Sequence, residues 1–214
     1  ASICEQLGID LPTYLRACIA RLIQENGIPF SMKLEPKPES RGLQAMKEAS
    51  RIAAENGIAD LSLDVINAEI PQPEDGMQYY AVIDTNVIVS AMLKWDSIPG
   101  SILELALDGP ITPVLNHEIL DEYQQVLLRP KFHLTERIVG DLLENIIARA
   151  VFADAHKLML ELPDPKDVVF YEVTMEHRKT EDTYLVTGNL KHFPSECFVV
   201  TPRQMLDIIV NNEK

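Results

Sequence analysis

Three cysteines in 214 residues, Cys4, Cys18 and Cys197, are too few and too scattered for a disulfide framework or a zinc site. Cys18 lies on an apolar helical stripe and reads as core. No apolar run reaches membrane-spanning length, and no amino-terminal segment has signal-peptide character, so the expected compartment is the cytoplasm, with no membrane partner. Internal repeats and low-complexity tracts are also missing. His117, His133 and His177 lack a matched nucleophile, which sets a triad hydrolase aside and leaves them as surface or packing residues.

Positive charge is also in short supply. Nineteen Lys and Arg stand against 33 Asp and Glu, a net charge of −14, and both portions of the chain are acidic. A nucleic-acid enzyme usually carries a basic footprint, and bulk composition provides none here. Two features offset this. Acids gathered at one site would be balanced by bound cations, and local basic residues remain at Arg129 and Lys131 in LLRPKF and at Lys191-His192 after Asn189. These four are candidate substrate contacts, though a solvated surface is the commoner fate of such charges.

What the chain does have is acids at element boundaries. Tyr79-Tyr80-Ala81-Val82-Ile83 is an apolar, β-prone run that Asp84-Thr85-Asn86 stops before a helical stretch. Ligands of open α/β sheets bind at the carboxyl ends of strands, which is where Asp84 falls. Glu122 follows in ILDEYQQVL, and Asp164 and Asp167 in LPDPKDVVF. Converging carboxylates repel one another unless a hard cation neutralises them, so the set points to Mg2+ or Mn2+. Taken singly, Asp84-Thr85-Asn86 also serves as a helix cap and Glu122 as a solvated helix acid.

The chain from 77 to 214 alternates strand and helix, the pattern of a mostly parallel sheet flanked by helices. Strands are expected at 79–83, 111–114, 184–187 and 198–200. Helices are expected from Asn86, from Pro99-Gly100 through Leu107, from Asn116, from Thr135 to about Ala150, from Asp167 to about His177, and from Thr201-Pro202. The first 70 residues read as all-α: 4–7 and 11–26, then a helix capped by Ser40 and closed by Gly57, then a short one from Ser62 to Ile70. Pro71 to Gly76 is the linker.

The words AVIDTNVIVSAML (81–93), ILDEYQQVLLRPKF (119–132), DPKD (164–167) and YLVTGNLKHFP (184–194) together resemble the PIN domain, a nuclease family, within it the toxins of toxin–antitoxin pairs. The resemblance implies an RNA-hydrolysing enzyme whose metal-binding, catalytic acids are Asp84, Glu122 and Asp167, oriented by Thr85, Asn86, Thr187 and Asn189. Many relatives carry a fourth acid near Asn189, which here is an amide. LGIDLPTYLRACIARLIQENGIPF and LSLDVINAEI resemble RelB-like antitoxins. That implies an antitoxin-like segment restraining the nuclease, in cis or from a neighbouring chain of a homo-oligomer. The DNA-reading strand of that group has no counterpart before Ala1-Ser2-Ile3-Cys4, so operator binding is not expected of this stretch. Two other classes stay open: a degenerate binding module, suggested by Asn189, and a DxDx-type phosphatase, disfavoured because Asn86 stands where its second acid belongs.

Overall fold

The computed structural model describes residues 39–58 and 78–212, all within one compact unit that begins at Glu39. The helices expected at 4–7, 11–26 and 62–70, the linker at 71–76, and most of the antitoxin-like segment lie outside the described residues.

Helix α1 (Arg41–Glu55) is capped by Ser40, whose hydroxyl accepts from the Leu43 amide at 3.2 Å. Gly57 ends it at φ +67, a left-handed backbone that glycine adopts without steric cost. The chain resumes in β1 (Tyr79–Ile83), α2 (Thr85–Leu93), α3 (Ile98–Asp108), β2 (Ile111–Leu115) and α4 (His117–Leu127). There follow a 3-10 turn (Pro130–Phe132), α5 (Glu136–Arg149) and β3 (Val151–Phe152). A second such turn (Pro165–Asp167) leads into α6 (Val168–His177), β4 (Thr183–Val186), a third turn (Leu190–His192), β5 (Val199–Val200) and α7 (Pro202–Asn212).

Among the described residues the five strands form one sheet in the order β3-β2-β1-β4-β5, and every pairing is parallel. The expected α/β class is the observed one, with the sheet wholly rather than mostly parallel. β3 was not foreseen, because two residues ending a helix carry no periodic signal; its pairing with Val114 and Leu115 defines it. Ala81, Val82 and Ile83 are buried, as are Ile111, Val114 and Leu115, consistent with strands covered on both faces. The strand order reverses between β1 and β4, so their carboxyl ends open the crevice where ligands of such sheets sit.

α1 is part of this core. Leu43, Met46, Ala49 and Ala53 are buried, and the helix packs on α5 and α2. Gly42 allows the approach, since a Cβ there would stand 2.7 Å from Cβ of Asn145. Ion pairs Arg41–Asp141 and Glu48–Arg137 rim the contact, with Lys47 over the Trp95 ring. The Ser50 hydroxyl donates to the Leu93 carbonyl and accepts from the Trp95 amide. No helix among the described residues is long and apolar enough to cross a membrane.

Candidate active site

β1 delivers Asp84 to the switch point, where its backbone amide donates to the Val186 carbonyl of β4 at 2.9 Å. Its carboxylate is almost wholly buried, at 4% exposure, and three donors clasp it. The Thr187 hydroxyl donates to Oδ2 at 2.6 Å, Asn86 Nδ2 donates to the same oxygen at 2.6 Å, and the Asn86 amide reaches Oδ1 at 3.1 Å. The last bond is a helix cap, so the capping reading and the site reading of Asp84 describe one arrangement. Gly188 donates its amide to Asn86 Oδ1 at 3.0 Å, and Asn189 its own to Thr187 Oγ1 at 2.9 Å, which ties the strand ends together.

Burial pushes the Asp84 carboxyl up to about 6; the bonds from Thr187 and the Asn86 backbone oppose this, while Asp167 and Glu122 nearby push it further up. On α4, Glu122 accepts from the Thr85 hydroxyl at 2.6 Å. One residue on, buried Tyr123 donates its phenol to the Ile83 carbonyl, anchoring α4 against the end of β1; burial holds that phenol well above its ordinary range. Asp167 opens α6 as expected, standing at its N-cap, but its side chain makes no capping bond there. Instead the second 3-10 turn ends on it, and its Oδ2 lies 2.7 Å from Nδ1 of His192. Asp164 caps that turn, accepting from the Lys166 amide at 3.0 Å.

Asp84, Glu122 and Asp167 line one cleft of about 430 Å3, together with Thr85, Asn86 and Asn189. Arg129, Lys131 and His192 line it too, whereas Lys191 is exposed outside it. The cleft also includes Lys166 and Asp164. DPKD marked that loop, but a lysine between two acids carries no sequence signal for which way it faces. Of the other histidines, His117 stacks near Phe152 and His177 near Tyr80, exposed His133 takes a left-handed turn position, and His156 lies 3.1 Å from Glu176.

The donors facing this cleft are carboxylate oxygens, the chemistry that suits a hard divalent cation. A buried acid whose ionisation is opposed chiefly by burial, and further by neighbouring acids, is also what a cation would relieve. Among the described residues no three acids or histidines stand close enough to share an ion as they are arranged. Glu122 is engaged by Thr85 and Asp167 by His192, so the donor set fits in kind while its side chains are held apart.

A wholly parallel sheet with acids at its switch point defines a doubly wound α/β protein with an acidic ligand cleft. The chain belongs to the PIN-domain family, whose sequence model matches residues 80–191, from β1 through the turn that carries His192's neighbours. PIN domains are typically nucleases and generally use divalent metal ions. Neither the curated proteins nor the solved structures include a match to the chain.

Proposed function

We propose that the chain is a metal-dependent endoribonuclease of the toxin kind, joined at its amino-terminal side to an antitoxin-like segment. One observation carries the substrate reading. Among the described residues, nearly every Lys and Arg is engaged by a carboxylate or a backbone carbonyl. Arg129, Lys131, Lys166 and Lys191 are not; the only contact of their side chains is Lys131 over the Phe132 ring. Three of the four line the acidic cleft. An acidic protein thus keeps its unpaired cations beside its catalytic acids, which is what a phosphodiester needs for positioning.

Asp84, Glu122 and Asp167 are the residues that would hold Mg2+ or Mn2+, which when bound polarises a phosphodiester and supplies hydroxide near neutral pH. Thr187 and Asn86 orient Asp84, Thr85 orients Glu122, and His192 steadies Asp167. Arg129, Lys131 and Lys166 bear on the phosphate backbone, with Asn189 at the rim. The decisive measurement is cleavage of single-stranded RNA by the full chain with Mg2+ or Mn2+, with chelator, and with Asp84→Asn. Metal-dependent products lost in the variant support the reading, and none from either the full chain or one starting at Glu39, under either metal, sinks it.

The separation of the acids favours a second reading, a site that binds nucleic acid without cutting it. RNA binding at the cleft without cleavage selects that one. α1 anchors the amino-terminal region by packing on α2 and α5, but it lines no part of the cleft. On this reading the restraining contact comes from elsewhere in the segment. Comparing the full chain with one starting at Glu39 isolates it: a rise in cleavage on removing 1–38 places the restraint there.

A further inference from the structure

Beside the catalytic cleft lies a second one of about 450 Å3, and Glu122 and Lys166 line both, so they share a wall. Its apolar lining comes from Leu158, Pro165, Val168 and Val169. Three of its charged residues are mutually engaged. Lys157 bonds Glu118 at 2.9 Å and lies 3.6 Å from buried Glu172, whose Oε1 accepts from the Leu158 amide at 2.6 Å. Asp121 and Gln125 differ. They stand one turn apart on α4, line the cleft, and among the described residues neither side chain has a hydrogen-bond or ion-pair partner.

Four acids against two lysines make this cleft repel a phosphate. It suits a flat, neutral group that is rich in N–H donors. We propose that it holds the base of the nucleotide next to the scissile phosphate and reads guanine; this rests on the nuclease reading above. Guanine alone among the RNA bases presents two adjacent N–H donors beside a carbonyl acceptor on its Watson–Crick edge. A carboxylate takes both donors in a forked pair, the role of Asp121, and an amide NH2 meets the carbonyl, the role of Gln125. Adenine and cytosine put a ring acceptor where Asp121 needs a donor, and uracil has a single N–H. The apolar lining covers the faces of an unstacked base, the form in which single-stranded RNA is read. Lys166, on the shared wall and without a carboxylate partner, faces the phosphate that joins the two subsites.

The test is isothermal titration of the full chain with GMP, AMP, CMP and UMP, beside cleavage of RNA oligonucleotides that differ at one position. The expected result is GMP binding about tenfold or more tighter than the others, with cuts next to guanosine. Asp121→Asn replaces one of the two acceptor oxygens by a donor, breaks the forked pair and should erase the preference in both assays, while Asp84→Asn abolishes cutting and keeps the GMP preference. Cleavage with no base preference, or a preference that survives Asp121→Asn, overturns the guanine subsite and leaves the nuclease intact. Selective GMP binding without any RNA cleavage supports the subsite and removes the nuclease reading instead.

Discussion

The two ends of α2 are built on opposite principles. At its amino-terminal end Asp84, Thr85 and Thr187 are buried polar groups, each hydrogen-bonded, around a carboxyl that burial makes reluctant to ionise. Near its carboxyl-terminal end, Met46, Ala49 and Ala53 of α1 cover the domain with apolar surface, and charges are confined to the rim. The first region holds unfavourable electrostatics at the cleft, and the second supplies apolar burial that offsets it. Substitutions should therefore separate activity from stability cleanly between the two ends.

The largest effect is expected from Asp84→Asn, which should reduce metal-dependent RNA cleavage to background while raising the thermal midpoint of the chelated protein at neutral pH. A folded, equally active variant would remove Asp84 from the chemistry. Asp167→Ala should come close behind, because Asp167 faces the cleft acids and holds His192. Asp164→Ala, which removes a turn-capping acceptor, should cost far less in the same assay. The reverse ranking would show that Asp164 is the functional acid.

At the other end, Met46→Ala empties a fully buried position and should cost about 2–5 kcal/mol in urea unfolding, with cleavage per folded molecule unchanged. The same burial bears on a fragment beginning at Met77. It lacks α1 and bares the faces of α2 and α5, so any gain in its activity must be read per folded molecule.

The two ends should also differ in pH dependence. For Asp84 the folded value of about 6 lies above the ordinary 3.8, so the folded state holds the proton more tightly. Its contribution favours folding at low pH and is lost as pH rises from about 4 through 6, a swing of about 3 kcal/mol in the metal-free protein. Unfolding measured at about pH 4 and about pH 8 should show this swing as the difference between wild type and Asp84→Asn. A bound divalent cation should shrink it, and an unchanged swing with metal would place the ion elsewhere. The smallest effect is expected from Arg137→Ala. That exposed partner of Glu48 should leave both the unfolding midpoint and activity within error.

Much of this was legible before any coordinates. Ser40, Asn116 and Thr135 each cap the helix their position announced, and the apolar run before Asp84 is the central strand. Such features are local: a cap needs an acceptor within three residues, and a buried strand needs an apolar run. The start of α6 at Asp167 was legible as well, whereas the 3-10 turn before it and the carboxylate's partner His192 were not. β3 and the cleft-facing side of Lys166 left no trace because both depend on partners far away in sequence.

The sequence by itself determined the alternation of strands and helices and the placing of Asp84 and Asp167 at element ends, because hydrophobic periodicity and capping act over a few residues; Glu122, expected at a boundary, lies mid-way along α4. Only the tertiary structure decided that α1 shares a core with the domain after it, that unpaired cations gather beside the acids, and that Asp121 and Gln125 face a second cleft next to the first. Those relations span from tens of residues to more than a hundred. They exist because a parallel sheet with a reversed strand order brings the ends of distant strands to one edge.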